Sequence, residues 1–188
     1  AEMGGSLLAR TETIDGRPGT EWVAEAIREL RANEQVRVLP RTIVFGYYDH
    51  DYVNLLENLT DHLANKPADM PRQRMWKVRC KRVIVAAGAI ERPLVFRDND
   101  RPGIMLASAA QSYVNRWAAK PGQRGVVVTN NEGAYRVALE MHQAGIEIPA
   151  IIDLRSEAQG PWTAKAREAG LNILNGYSIT GSRGAKRV

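Results

Sequence analysis

A single cysteine, Cys80, in 188 residues excludes an intramolecular disulfide and the disulfide-stapled class of small secreted domains; it fits a reducing, cytoplasmic setting. The three histidines, His50, His62 and His142, are too scattered for metal-ligand spacing, so no metal site is expected. No apolar run approaches the roughly 18 residues that a membrane-crossing helix requires, so a membrane is not an expected partner. A coherent stripe of positive charge is also missing. The net charge of +5 comes from separated groups: Arg28, Arg31, Arg37 and Arg41; Arg72, Arg74, Lys77, Arg79, Lys81 and Arg82; and Arg183, Lys186 and Arg187. Only the middle group is dense, and its alternation with Val78 and Cys80 reads as the wet face of a strand. Nucleic-acid recognition needs a continuous basic surface with stacking aromatics, so nucleic acid is not expected either.

What remains is an ordinary globular composition, 44% hydrophobic and 25% charged, in a length that holds one full domain or parts of two. The opening at Ala1 and the polar close GSRGAKRV read as a piece cut from a longer polypeptide. Along the chain, Thr20 is expected to cap a helix over 21–32 that shares Trp22, Val23, Ala26, Ile27 and Leu30 on one face. Short strands are expected at 36–39, 42–48 and 52–59, with the turn-like Asp49-His50-Asp51 between the last two. Residues 62–73 read as a loop, and 75–85 as renewed extended structure. This middle part is an antiparallel meander. The second half alternates: a helix through Leu106, Ala109, Ala110, Tyr113, Val114 and Trp117, ended by Lys120-Pro121-Gly122; a strand at 125–128; and a helix through Val137, Ala138, Met141 and His142, closed by Gly145. A strand at 148–152 ending in Asp153, a helix at 164–169 and a strand at 171–174 follow.

Strand, loop, helix and a strand ending in an acid form the opening unit of a dinucleotide-binding fold. The glycine fingerprint of such folds falls here on Thr129, Asn131 and Ala134, with Asp153 in the place of the ribose-binding acid. Alanine suits the third position. Thr129 and Asn131 crowd a pyrophosphate, so the topology reads as a scaffold with a degraded phosphate site.

Residues 83–108, VIVAAGAIERPLVFRDNDRPGIMLAS, carry more. An apolar strand over Val83–Ala86 runs into Ala87-Gly88-Ala89, followed by the ion-pair candidate Glu91-Arg92 and the turn Asp100-Arg101-Pro102-Gly103. A strand emptying into small residues is how α/β proteins bring backbone amides to a cofactor, although a core strand and plain turn look the same. Gly4-Gly5 near the start allows the same two readings, a backbone that approaches a cofactor or a flexible terminus. Other chemistry finds little support. Cys80 stands beside Lys81 and Arg82, but in a strand these point away and an inert thiol is expected. Ser108 and Ser112 have no base nearby in sequence, and Asp49-His50-Asp51 reads as a hairpin turn.

The run VIVAAGAIERPLVFRDNDRPGIMLASAAQSYVNR resembles the alpha (large) subunits of heterotetrameric sarcosine oxidases. AEMGGSLL, the meander and VVVTNNEGAYRVALEMHQAG fit the same subunits in the same order. The turn departs from many relatives in reading Ala86-Ala87-Gly88 instead of Ala-Thr-Gly. The resemblance implies an α/β, FAD/NAD(P)-binding-like fragment with a parallel sheet, helices and an antiparallel β-meander. Residues 1–103 would be part of a first dinucleotide domain, 104–121 a connecting helix and 122–188 the start of a second Rossmann-like domain. It implies oxidative demethylation of sarcosine to glycine, releasing hydrogen peroxide and a one-carbon unit for tetrahydrofolate. NAD would be the cofactor of this subunit, with FAD, FMN and tetrahydrofolate serving the complex mostly outside this stretch. Beta, gamma and delta subunits would be its partners. The matched cofactor-lining positions are Gly4, Gly5, Ser6, Leu7, Ala87, Gly88, Ala89, Glu91 and Arg92, and no catalytic residue carries over. Without the glycine-rich turn, expected upstream of Ala1, these residues alone should bind dinucleotides poorly and be inactive. Subunits of related proline, hydroxyproline or opine dehydrogenases share parts of the pattern, and a non-catalytic scaffold is the contrasting reading.

Overall fold

The computed structural model describes residues 2–188. The chain forms two units, one running up to Gly5 and then over Thr13–Gly88, the other made of Ser6–Glu12 and Ala89–Val188.

The first unit opens with a small hairpin of β1 (Thr13–Ile14) and β2 (Arg17–Pro18), which leads directly into helix α1 (Gly19–Ala32). The expected cap at Thr20 is not used: Thr20 lies inside the helix and Pro18 takes the capping position with no side-chain hydrogen bond. Proline suits this place, since a helix's first N–H groups have no partner in the helix and φ is already set. The expected apolar face is present. Val23 is buried, Trp22, Ala26 and Ile27 are half-buried, and only Leu30, near the C-terminal end, is exposed.

Strands β3 (Thr42–Tyr48), β4 (Tyr52–Asn58) and β5 (Gln73–Arg79) form the antiparallel meander in that order. Val53 pairs with Tyr47 and Val78, and Leu55 with Val44 and Trp76, which gathers apolar side chains on one face. The β3–β4 turn needs left-handed backbone at His50 (φ 60°) and Asp51 (φ 51°), and the Tyr47 hydroxyl donates to Asp51 Oδ1 at 2.7 Å across it. The register shifts between Val44 and Gly46, where a side chain on Gly46 would collide with the Tyr48 ring. The Trp76 indole N–H donates to Glu57 at 2.8 Å, and the Arg37 guanidinium lies 4.5 Å from the ring centre.

Two expected strands do not form. Residues 36–39 are irregular, and so is the apolar run Val83–Ala86, with Ile84 91% and Val85 82% exposed. A strand exists through its neighbour's hydrogen bonds, and among the described residues no strand pairs with either segment. The meander's own ladder ends at Arg79, after which the Cys80 N–H donates to the Asp51 carbonyl at 3.0 Å.

The second unit holds helix α2 (Ala107–Trp117), then β6 (Val127–Thr129), α3 (Gly133–Gln143), β7 (Ile151–Asp153), α4 (Pro161–Glu168) and β8 (Ile173–Asn175). The three strands are parallel in the order β6-β7-β8, with Thr129, Asp153 and Asn175 level with one another at their carboxyl ends. This is the expected alternation, with strands shorter than the apolar runs suggested. Helix α2 turns inward part of the face its periodicity implied: Ala110 is buried and Val114 packs against the core, but Gln111 is buried too, whereas Tyr113 and Trp117 are 45% and 59% exposed. It also stops earlier, at a left-handed Ala118. Gly145 closes α3 at φ 78°, as expected.

Helix α3 is buried along Ala134–Met141, and its Val137, Ala138, Leu139 and Met141 pack with Ile146, Ile148, Ile151, Ala166 and Leu171. That depth makes its two charged residues decisive. The Glu140 carboxylate accepts from Gln111 Nε2 (2.7 Å) and Asn115 Nδ2 (2.6 Å) of α2, from Thr11 Oγ1 (3.1 Å) and from Arg136 Nε (3.0 Å) one turn away. Arg136 in turn pairs with Glu12 at 2.7 Å, and its guanidinium lies 5.3 Å from the Trp162 ring centre. Burial pushes the Glu140 carboxyl up, but the hydrogen bonds from Gln111, Arg136, Asn115 and Thr11 together outweigh it and hold the group below its ordinary value. Its stabilisation is therefore complete above the usual carboxylate range of about pH 4.3 and is lost as pH falls below that. Glu140→Ala should leave Arg136 with Glu12 alone, deprive Gln111 and Thr11 of their acceptor, and cost about 3 kcal/mol. Urea denaturation followed by circular dichroism should show that loss, together with a weaker acid-induced fall in stability than in the unmodified chain.

Candidate functional site

The expected cofactor-lining positions are short backbone turns. Gly4 (φ 123°) and Gly5 (φ 53°) both adopt conformations that a side chain resists, and Gly5 starts a short 3₁₀ helix, Gly5–Ala9. Ser6 is exposed and Leu7 half-buried within it. Gly88 also has left-handed backbone (φ 72°), and a Cβ built on Gly5 or Gly88 would meet nothing within 4 Å. Both glycines leave open space beside their backbone. Ala87, Ala89, Glu91 and Arg92 are exposed. Gly4, Gly5, Ala87 and Gly88 belong to the first unit; Ser6, Leu7, Ala89, Glu91 and Arg92 belong to the second.

Glu91 does not pair with Arg92 as expected. Its two carboxylate oxygens accept the Ala107 and Ser108 amides at 3.2 and 2.8 Å, at the first turn of α2. A helix leaves these N–H groups without partners and carries partial positive charge there, so a carboxylate is well placed. The helix has no side-chain cap of its own at Leu106. Glu91 stands sixteen positions before Ala107, the helix start it caps, which is why spacing gave no sign of this role.

The second expected turn, at the end of β6, is filled by its own side chains. Thr129 Oγ1 donates to the Asn131 carbonyl (3.0 Å) and accepts the Asn131 amide (3.1 Å), while Asn131 Oδ1 accepts the first amide of α3, from Gly133 (3.0 Å). Glu132 reaches across to α4, accepting Trp162 N at 2.7 Å, Thr163 N at 2.8 Å and Thr163 Oγ1 at 2.6 Å. A side chain on Gly160 would overlap that carboxylate, which explains glycine there. Sequence reasoning missed Glu132 altogether.

Asp153, in the position of a ribose acid, is fully buried. It accepts Tyr135 Oη at 2.7 Å, the Arg155 amide at 2.9 Å, and Arg155 Nε and Nη2 at 3.0 and 2.6 Å. Burial raises its pKa, but the bonds from Arg155 and Tyr135 prevail and hold it ionised below its ordinary value. Burial, with the hydrogen bond to Asp153, pushes the Tyr135 hydroxyl up to about 12. Among the described residues no three His, Cys, Asp or Glu side chains gather as a metal site, and no helix is long and apolar enough to cross a membrane.

A parallel three-stranded sheet with helices, accompanied by an antiparallel meander, defines an α/β, FAD/NAD(P)-binding-like fold. Comparison with known proteins agrees and is more particular. The chain is 36% identical over 185 residues to sarcosine oxidase subunit alpha of Rhizobium meliloti (strain 1021), covering 98% of this chain and 18% of that protein. It is 40% identical over 181 residues to the same subunit from Corynebacterium sp. (strain P-1), covering 95% and 18% respectively. The chain is thus a relative of sarcosine oxidase alpha subunits over one segment, spanning about a fifth of their length. A crystal structure of L-proline dehydrogenase from P. horikoshii shares the fold, with a TM-score of 0.60 and 24% identity over 85% of this chain and 30% of that one. Both names belong to oxidoreductases. No family model matches.

Replacing Glu91 by Ala should destabilise α2 by about 1 kcal/mol, the usual worth of a lost helix cap. Amide exchange measured by mass spectrometry should quicken at 107–110; unchanged protection there would remove Glu91 from the capping role.

Proposed function

We propose that the chain contributes the NAD-binding part of the alpha subunit of a sarcosine oxidase. The observation that carries this reading is the 36–40% identity to sarcosine oxidase alpha subunits over at least 95% of the chain. In this proposal residues 1–103 are part of the first dinucleotide domain, 104–121 connect, and 122–188 begin the second. The adenosine-pyrophosphate end of NAD would lie near Gly4-Gly5 and Gly88. The open space beside Gly5 and Gly88 supports this, because room over a backbone turn lets an anion approach its N–H groups. Arg92 is exposed and would add positive charge, while Glu91 would act indirectly by fixing this stretch to α2.

Bound NAD would supply a nicotinamide redox group, and this chain's residues would hold and orient it. Demethylation of sarcosine to glycine, with hydrogen peroxide formed and a one-carbon unit passed to tetrahydrofolate, would belong to the assembly with beta, gamma and delta subunits and its FAD and FMN. Such an enzyme would work in the cytoplasm. No residue of this chain is proposed as catalytic.

Two variants of the full-length polypeptide test the placement. Gly88→Trp should abolish copurification of NAD, whereas Gly88→Asn, which tolerates left-handed backbone, should keep most of it; full NAD content in the Trp variant would reject the site. Sarcosine-dependent peroxide release by the assembly is the expected activity. Turnover of proline or an opine in its place would move the chain to the dehydrogenase subunits.

A further inference from the structure

The parallel-sheet unit has the topology of a nucleotide-binding half, so it offers a second place for a dinucleotide. Its two recognition elements are a turn that presents free amides after the first strand and an acid that accepts ribose hydroxyls after the second. Both are present in outline, and each is consumed by a partner within the same unit.

A carboxylate offers about four lone-pair positions. At Asp153 these are taken by the Tyr135 hydroxyl, the Arg155 amide and two guanidinium N–H groups, and no surface of the residue reaches solvent. A ribose hydroxyl could bind only after Arg155 and Tyr135 were displaced. At the turn, the Asn131 amide is held by Thr129 Oγ1 and the Gly133 amide by Asn131 Oδ1. Glu132, between them, places a negative charge at the start of α4, where its oxygens accept two amides and the Thr163 hydroxyl. That anion, one residue from the start of α3, would repel a pyrophosphate.

We infer that the unit formed by β6, β7, β8 and their helices is closed to dinucleotides from within: Asp153 is locked by Tyr135 and Arg155, Thr129 and Asn131 fill the turn, and Glu132 ties it to α4. The acid, arginine and tyrosine constitute a structural clamp at the carboxyl edge of the sheet. The parallel-sheet half therefore works as a scaffold. This closure rests on the geometry of the one unit and is independent of where NAD is placed above.

Hydrogen–deuterium exchange of the full chain, with and without millimolar NAD or NADP, tests it. Exchange in peptides covering 127–135 and 151–157 should be unchanged by either nucleotide. Saturable slowing of exchange in both peptides would overturn the closure. The variant Asp153→Asn provides a second measure: it should lower thermal stability yet leave any dinucleotide affinity within about twofold. A loss of about tenfold would make Asp153 a ligand contact and refute the clamp. Protection at 4–7 and 86–89 reports separately on the proposed NAD placement, so failure of either idea is visible without the other.

Discussion

The second unit depends on one buried charge. Glu140 lies within the buried run of α3, and its carboxylate is addressed by α2, by α3 itself and by the segment 6–12. An ionised carboxylate in such a place is tolerable only when its oxygens are saturated and a cation stands beside it, and Arg136 and three neutral donors meet that need. The network extends along the segment 6–12 of the same unit. Thr11 binds Glu140, Glu12 binds Arg136, and Asn115 holds the Ala9 carbonyl at 3.0 Å. Three residues of that segment are thus tied to helices remote in sequence.

The same economy governs the carboxyl edge of the parallel sheet. Asp153 and Glu132 stand where a nucleotide-binding fold invites a ligand, but each has been turned to an internal task. One clamps Tyr135 and Arg155; the other stabilises the start of α4. Folds of this kind separate architecture from function. A half without fingerprint glycines keeps its strand order, because burial of Tyr135, Ala138 and Ile151 does not need the ligand.

Much of this was legible in the sequence. The alternation of strand and helix after residue 122, the meander, the turn at Asp49-His50-Asp51 and the degraded fingerprint at Thr129 and Asn131 all followed from periodicity and residue type. The errors have a common physical source. Val36–Leu39 and Val83–Ala86 have the composition of strands, yet a strand needs a neighbour and composition does not name one. On α2, Ala110 and Val114 pack inward as periodicity implies, but Tyr113 and Trp117 do not, and Gln111 is buried where it serves Glu140. The roles of Glu91 and Glu132 were hidden for a related reason: each caps a helix far along the chain, joined to it by the fold and not by spacing. Resemblance to alpha subunits, in contrast, was readable from one long run around Gly88 and survives comparison over nearly the whole chain.

In the proposed placement a dinucleotide lies against the open backbone of the glycine turns and not in the filled turn of the parallel sheet. An experimental structure of the full-length polypeptide with NAD bound decides between the two turns. The pyrophosphate is expected beside the backbone of Gly4-Gly5 and Gly88, with Asp153 still bound to Tyr135 and Arg155. A pyrophosphate lying along Thr129–Ala134, with Asp153 released to the ribose, would overturn the placement and the closure together.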